Sequence, residues 1–207
     1  MEVELLGMTP NPEKVIETAG RTCYLSFEKA REGSEKKFVR MVVRNGHHSV
    51  LEHAVATFRI TGISRACTHQ LVRHRLASYS QQSQRYVNEK QFSIVEPESV
   101  ASKPEAHEIF EKTVEACREA YLKLQEIGIK NEDARFLLPN AVQSEIVVTA
   151  NLREWRHMIA IRGQKAAQWE IRVLMMKILN VLKEHAPTVF EDFESSEDDA
   201  IISLRSL

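Results

Sequence analysis

Five arginines lie between Glu52 and Glu89, in a stretch that contains no aspartate, glutamate or lysine. They are Arg59, Arg65, Arg73, Arg75 and Arg85. The whole chain has a formal net charge of −1, so this surplus of guanidinium groups is local and requires a negative partner from elsewhere. Arginine suits phosphate because its planar fork donates two parallel hydrogen bonds and stays charged at any working pH. The stretch therefore predicts binding of a phosphorylated molecule.

The densest part of this stretch, RHRLASYSQQSQRY, combines arginines with amide and hydroxyl side chains. Its other polar members include His74, Ser78, Gln81, Ser83 and Gln84. This mixture can donate to phosphate oxygens, and it can donate to and accept from a base or a sugar. The alternative is a solvated basic helix end followed by plain turn residues. The missing acids disfavour that alternative, because a solvated basic face is usually interleaved with Glu and Asp.

A histidine-rich group precedes the arginines and consists of His47, His48, Ser49, Glu52 and His53. A metal site is one interpretation, but the spacing is not HExxH and Glu52 is the only carboxylate or thiol ligand nearby. The neighbouring arginines also disfavour a divalent cation, since two unit charges about 4 Å apart repel by roughly 4 kcal/mol at an effective dielectric of 20. A loop or core role is therefore favoured for each histidine.

Downstream, the segment NLREWRHMIAIRG places Arg153 and His157 four residues apart, on one face of a predicted helix. Asn151 is expected to cap that helix or to point at a ligand. Arg162 follows the helix beside a glycine, where the chain can turn closely around a small molecule. Alone, an Arg-Gly pair after a helix is a routine stop signal. Arg135, in DARFLLPN, is by itself indistinguishable from a surface arginine.

The composition is that of an ordinary globular protein of 207 residues, enough for one domain or at most two. Three widely spaced cysteines without a CxxC pair fit a reduced, cytoplasmic protein. No apolar run approaches the roughly 20 residues that span a membrane, and the acidic start lacks the basic segment of a secretory signal. Near neutrality overall argues against a general nucleic-acid coat protein.

Hydrophobic periodicity and capping signals predict a helix-rich chain with few strands. Helices are predicted at about 11–24, from a cap at Ser34 to Gly46, and at 64–76, 103–127, 131–137, 151–161 and 166–185. Strands are predicted at 2–8, 54–61 and 142–150, with a loop at 46–53 and a Ser- and Gln-rich turn at 78–84. The pattern favours an α+β fold, a helix-rich single domain with a small, mainly antiparallel sheet.

Taken together, these segments resemble the flavin-dependent thymidylate synthase family. The RHRxxSxNxxSxR pattern of that family stands here as Arg73-His74-Arg75, then Ser78, Ser80 in place of Asn, Ser83 and Arg85. GHHSVLEH upstream, and ARFLLPN, NLREWRH and IRGQKAAQWEIR downstream, follow in the family's order. The resemblance covers residues 1–190 as one domain. Residues 191–207 form an acidic C-terminal tail outside it, which we expect to be frayed.

The resemblance implies the reductive methylation of dUMP to dTMP. In that reaction 5,10-methylenetetrahydrofolate supplies the carbon, and FAD, reduced by NADPH, supplies the hydride. It also implies a homotetramer whose subunits share each flavin site; we expect no metal, nucleic-acid or membrane partner. The residues it implies in FAD binding are Ser49, Glu52, Arg73, His74, Arg75, Gln81, Asn151, Leu152, Arg153 and His157. The residues it implies in dUMP binding are Gln70, Arg73, Gln81, Ser83, Gln84, Arg85, Arg135 and Arg162.

Four positions depart from the common family pattern: Ser80, Gln81, His157 and Ala166, where Asn, Glu, Asn and His are common.

The resemblance to the family also implies that Arg162 is the catalytic residue. C5 of uracil is a poor nucleophile, and a cation beside N3 or O4 stabilises the negative charge as it develops. No protein nucleophile is required.

Two candidate nucleophiles fit the sequence less well. Ser83 has no base positioned to activate it. Cys67 lies in RACTHQ, unlike the Pro-Cys setting of the folate-only thymidylate synthases, so we expect a buried, inert cysteine.

Two alternative functions remain open. An RNA- or nucleotide-binding module would use the same arginines, bind with strong salt dependence and carry no flavin. Aromatic stacking platforms are sparse near the arginines, which counts against it. A metal-dependent nucleotide hydrolase built on the histidines would contain metal, but the ligand spacing for it is absent.

Overall fold

The computed structural model describes residues 1–196, 198 and 200–205. Its α-helices are Pro12–Thr22 (α1), Ser34–Arg44 (α2), Arg65–Leu71 (α3), Glu98–Ala101 (α4), Pro104–Glu126 (α5), Asn131–Ala134 (α6), Leu152–Arg162 (α7) and Trp169–His185 (α8). Shorter 3-10 helices are Phe27–Lys29, His48–His53, Arg135–Leu137 and Pro187–Val189. None of the described helices has both the length and the hydropathy that a bilayer crossing requires. The helix-rich prediction is confirmed.

The strands are Glu2–Met8 (β1), Val55–Ser64 (β2), Ser78–Gln81 (β3), Gln143–Asn151 (β4), Phe193–Ser196 (β5) and Ile201–Leu204 (β6). The first four form one sheet in the order β1-β2-β4-β3. Strands β5 and β6 form a separate antiparallel hairpin, in which Phe193 pairs with Leu204 and Ser196 pairs with Ile201. Small sheets beside many helices confirm the α+β class.

The chain divides into two compact units, each assembled from separate stretches of sequence. Unit one contains Met1–Ile60, Leu71–Tyr79 and Val147–Leu207. Unit two contains Thr61–Gln70 and Ser80–Ile146. Residues far apart in the sequence are therefore neighbours within each unit. The assignment of residues 1–190 to one domain stays a prediction.

In unit one, alternation from Ala54 along β2 buries every second side chain, as the sequence predicts. Ala54, Ala56, Phe58 and Ile60 are fully buried. Trp155 of α7 packs edge-on against Phe58, with ring centroids 5.1 Å apart, and its indole Nε1 donates to the Ala56 carbonyl. Burial of these two rings removes a large apolar area from water and so fixes α7 against β2.

In unit two, the amphipathic helix predicted at 103–127 is confirmed as α5, which buries Val114 and Tyr121. Val114 belongs to a hydrophobic cluster with Phe92 and Val142. The Arg118 guanidinium lies over the Phe92 ring, 4.1 Å from its centroid. The face of α5 that carries Val114 and Arg118 therefore packs against the segment of unit two that precedes β4.

The predicted cap of α2 is wrong by one residue. The N-cap is Gly33, whose φ of 78° is a left-handed conformation that glycine adopts without a steric penalty. Ser34 is the first helical residue, and its hydroxyl donates to Glu17 and accepts from the Arg31 N–H. The serine thus joins α2 to α1 instead of capping its own helix.

Three further segments differ from prediction. The helix predicted at 64–76 ends at Leu71, and the turn predicted at 78–84 contains β3. The Tyr79 hydroxyl lies 2.8 Å from the Leu71 carbonyl and 2.9 Å from the His74 carbonyl, so a side chain from β3 satisfies the end of α3. The predicted loop at 46–53 contains a 3-10 helix.

The frayed tail expected after residue 190 is also wrong over the residues that the structure describes there. Strands β5 and β6 both belong to it. Phe193 and Ile202 are each only 2% exposed, so the hairpin has a buried face despite its acidic composition. Residues 197, 199, 206 and 207 of the tail lie outside the described residues.

Candidate active site

The arginines of the acid-free stretch differ in their partners. Arg59 lies 3.4 Å from Glu4, and Arg85 lies 3.0 Å from Glu132, so the chain supplies an acid to each of these two. Arg73 and Arg75 are exposed after the end of α3, and neither forms an ion pair with any residue that the structure describes. These two exposed guanidinium groups are therefore available to an external anion.

His74, which lies between those two arginines in sequence, faces the interior of unit one. Its buried ring accepts a hydrogen bond at Nε2 from Arg162 Nε, at 3.0 Å. An arginine Nε–H can only donate, so Nε2 carries no proton and the proton of the neutral ring lies on Nδ1. That atom is 3.6 Å from Oε1 of Glu154. Two predicted site residues 88 positions apart are therefore in direct contact.

The surroundings of His74 keep its ring neutral. Burial is the main cause that lowers its pKa to about 4, and the charges of Arg162 and His157 lower it further. Burial also raises the pKa of Glu154, against the opposing effects of His157 and Arg153. At neutral pH the imidazole therefore remains an acceptor for the guanidinium.

His74, Glu154 and His157 offer ligand atoms within 4.8 Å of one another, a spacing at which metal ions are held. The His74 and His157 rings pack edge to face, with centroids 5.8 Å apart. Neither nitrogen of His74 has a lone pair to spare, because Nδ1 is protonated and Nε2 accepts from Arg162. The nearby guanidinium also repels a divalent cation. His74 is therefore better suited to accepting from Arg162 than to binding a metal ion.

The start of α7 contains four more predicted residues. The Asn151 side chain caps the helix by accepting from the Glu154 N–H at 2.9 Å, which confirms the predicted cap. Arg153 is exposed and pairs with Glu52, so two predicted flavin residues meet here. His157 is exposed one turn after Arg153. Leu152, by contrast, has a fully buried side chain that packs in the core.

A groove of about 1160 Å³ opens beside Ser49 and Arg153 in unit one. Helices α1 and α2 and the 3-10 helix at His48–His53 line it. Its lining combines apolar side chains, such as Phe38 and Met41, with basic ones, such as Lys37. The groove therefore offers a flat apolar ring both contact surface and nearby positive charge.

In unit two, Gln81 is part of a network of polar side chains. Its amide Nε2 donates to Thr68 Oγ1 at 2.9 Å and to Ser144 Oγ at 3.1 Å. Both amide protons are thus engaged, which leaves the carbonyl oxygen as the group that Gln81 can offer to a ligand. Gln70, another predicted residue, is half-buried in α3, and its amide lies 3.4 Å from the Ala66 carbonyl.

Two predicted arginines of unit two both contact Glu132. The Arg85 guanidinium donates to the Glu132 carboxylate through Nε and Nη2, at 3.2 and 3.0 Å, and Arg135 Nε donates to the Glu132 carbonyl at 3.1 Å. Ser83 accepts from the Arg85 N–H at 3.3 Å, while Gln84 is buried. Glu132 is absent from the sequence prediction, and its only sequence signal is its place three residues before Arg135.

A protein-family match and the sequences of individual relatives both indicate the family that the motifs of the sequence resemble. The family described as "Thymidylate synthase complementing protein" matches residues 4–188. The chain is 46% identical over 200 residues to a flavin-dependent thymidylate synthase of Geobacter sulfurreducens, covering 93% of this chain and 86% of that protein. It is 44% identical over 189 residues to one of Pyrococcus abyssi, covering 86% of this chain and 78% of that protein.

Solved structures agree with these sequence matches. The fold is similar to that of thymidylate synthase X from Helicobacter pylori in complex with FAD and dUMP, with a TM-score of 0.80 and 26% identity. The alignment covers 93% of this chain and 98% of that one. A second structure of the Helicobacter pylori enzyme with the same two ligands gives a TM-score of 0.79 at 27% identity.

Proposed function

Because the chain belongs to the thymidylate synthase complementing protein family, the family of the flavin-dependent thymidylate synthases, we propose that it converts dUMP to dTMP with FAD as its flavin. The match over residues 4–188 is the observation that carries this proposal. The finer chemistry belongs to the same proposal: 5,10-methylenetetrahydrofolate supplies the carbon, NADPH is the reductant, and the chain acts as a homotetramer with shared sites.

The donor groups of unit one fit FAD. Its pyrophosphate carries two negative charges, and Arg73 and Arg75 present exposed guanidinium groups without an acid partner among the described residues. We assign these arginines, with His74, Gln81, Ser49, Glu52 and the segment Asn151, Leu152, Arg153 and His157, to flavin binding. When bound and reduced, the flavin supplies the hydride of the reaction.

We assign Arg85 and Arg135 to the phosphate of dUMP, because both guanidinium groups contact Glu132, Arg85 at its carboxylate and Arg135 at its backbone carbonyl. Arg73, Gln70, Gln81, Ser83, Gln84 and Arg162 complete the proposed nucleotide contacts. The carbonyl oxygen of Gln81 is the part of that side chain still able to accept from a uracil or ribose donor.

Arg162 has the catalytic role in this proposal. C5 of uracil becomes nucleophilic only when the ring gains enolate-like negative charge at N3 or O4, and a fixed guanidinium beside these atoms stabilises that charge. The neutral imidazole of His74 accepts a hydrogen bond from Arg162 Nε and so orients the guanidinium. The proposed cation is therefore oriented before the reaction begins.

The first prediction concerns bound flavin. We expect the purified protein to be yellow, with flavin absorption bands that bleach when NADPH is added under anaerobic conditions. Addition of dUMP and 5,10-methylenetetrahydrofolate should then yield dTMP, measured by chromatography. As a matched test, Arg73→Ala/Arg75→Ala should weaken FAD binding by at least about tenfold, while Arg40→Ala, which removes an exposed arginine paired with Glu191, should leave it unchanged.

A protein that remains colourless after addition of excess FAD would contradict the proposal. Strong salt-dependent RNA binding without flavin would instead favour the nucleic-acid alternative.

The second prediction concerns Glu132, whose carboxylate pairs with Arg85. We expect Glu132→Gln to lower the Kd for dUMP by up to about fivefold, because an exposed ion pair contributes about 0–1 kcal/mol and here competes with the phosphate for Arg85. The matched control is Glu115→Gln, which removes another exposed acid of unit two, paired with Arg118. Calorimetric titration of dUMP at fixed ionic strength measures both. Equal or weaker binding by Glu132→Gln would remove Glu132 from the phosphate site.

A further inference from the structure

The turn that follows α7 is in close contact with the C-terminal hairpin. The Ile202 N–H of β6 donates to the Gly163 carbonyl at 2.8 Å. A Cβ placed on Gly163 would lie 2.7 Å from Ile202 Cβ and 2.8 Å from its Cδ1, shorter than any ordinary contact. Ile202 is only 2% exposed. The strand therefore packs directly on the backbone of the residue after Arg162, and only glycine leaves room for it.

The hairpin is itself fixed to the helices of unit one. Arg156 of α7 makes a two-pronged ion pair with Asp192, at 2.6 and 2.5 Å, and its guanidinium lies 4.8 Å from the centroid of the Phe193 ring. Lys183 of α8 donates to the Phe193 carbonyl at 2.6 Å, and the Arg205 N–H donates to the Asp192 carbonyl at 2.8 Å. The base of the hairpin is thus attached to both helices, and its position is set by buried contacts.

Arg162 consequently lies between two fixed points. Its Nε is hydrogen-bonded to the buried ring of His74, and the backbone one residue later is held by Ile202. We propose that the C-terminal hairpin, through Ile202, is a positioning element for Arg162. The family match ends at residue 188, so this element lies beyond the matched residues. The inference rests on the proposed function for its effect on catalysis, but its structural part stands independently.

Catalysis is sensitive to small displacements of such a group, since a shift of about 1 Å can lower a rate by about 100-fold. We expect Ile202→Ala, which keeps the backbone hydrogen bond but removes most of the packing on Gly163, to lower kcat by about tenfold without reducing FAD content. Ile202→Val should retain most of the activity. The matched control is Ile201→Ala, the same truncation at the adjacent residue on the opposite side of β6.

Hydrogen exchange provides the readout that does not depend on the reaction. The Gly163 N–H donates to the Ile159 carbonyl at 2.9 Å, and we expect its exchange, followed by mass spectrometry of a peptide spanning 160–168, to accelerate about tenfold in Ile202→Ala. Ile201→Ala should exchange as the parent does. All variants are compared at a temperature where circular dichroism shows each one folded.

Concurrent loss of kcat and faster exchange at Gly163 in Ile202→Ala alone supports the proposal. Parental kcat with faster exchange would show that the contact is structural only, and lower kcat with parental exchange would show that the effect does not pass through the turn; each overturns it. If the parent protein makes no dTMP, the proposed function fails by itself. In that case, parental exchange in Ile202→Ala overturns the proposed contact of Ile202 with the Gly163 turn, whereas faster exchange supports it.

Discussion

Replacement of Arg162 by alanine is expected to lower kcat by about 10²–10³-fold, the usual effect of removing one preorganised electrostatic group from an active site. The physical reason is that the guanidinium stabilises the enolate-like negative charge that makes C5 of uracil nucleophilic, a charge that the neutral ring of bound dUMP does not carry. FAD binding should change little, because the proposed flavin arginines are Arg73, Arg75 and Arg153. Anaerobic single-turnover experiments with pre-reduced enzyme measure the chemical step directly.

A conservative substitution of Arg162 and a control variant at another arginine accompany this experiment. Arg162→Lys keeps the charge but loses the planar fork and the Nε that binds His74, so its kcat should lie between those of the parent and Arg162→Ala. Arg44→Ala removes an exposed arginine at the end of α2 and should behave as the parent does. A parental kcat in Arg162→Ala would exclude this residue from catalysis.

Replacement of Arg156 by alanine is expected to have the largest effect on stability, a loss of about 3–5 kcal/mol in the free energy of unfolding. Arg156 and Asp192 are 7% and 4% exposed, and the substitution leaves a buried carboxylate without its partner. It also removes a donor to the Val189 carbonyl and the guanidinium over Phe193. Urea unfolding at fixed protein concentration, followed by circular dichroism, measures the difference.

A second arginine ion pair of the hairpin provides the control for that measurement. Arg205 pairs with Glu194 at an exposed position, and Arg205→Ala should cost less than about 1 kcal/mol. If Arg156→Ala were no more harmful than Arg205→Ala, the buried pair would not be what holds the hairpin. The double variant Arg156→Ala/Asp192→Ala should recover part of the loss, since it removes the unpaired buried charge as well.

The sequence predicts correctly those helices, strands and caps that are determined by residues close together in the chain. The period of α5 and the alternation of β2 each follow from which side chains meet the core, and both are confirmed. The Asn151 cap of α7 is likewise a contact across three residues. The early end of α3 at Leu71 and the strand at Ser78–Gln81 could not be predicted, because they depend on the Tyr79 hydroxyl and on pairing within a sheet.

In the candidate site too, features set by nearby residues could be predicted from the sequence, and features set by distant residues could not. Motif spacing identifies its arginines, but the acids that organise them come from elsewhere in the sequence: Glu132 for Arg85 and Glu52 for Arg153. Contact between His74 and Arg162 spans 88 residues and leaves no local signal. Acidic composition predicts a frayed tail, yet Asp192 pairs with an arginine 36 residues earlier. Distant charges, rather than local propensity, determine these features.

The position of the hairpin in the sequence has a consequence for synthesis of the protein. A ribosome makes residues 193–204 after every residue proposed to touch FAD or dUMP. On a nascent chain, α7 can already pack against β2 through Trp155 while the turn at Gly163 still lacks its cover. If the hairpin positions Arg162 as proposed, every residue that binds the ligands is synthesised before the strand that prepares the enzyme for turnover.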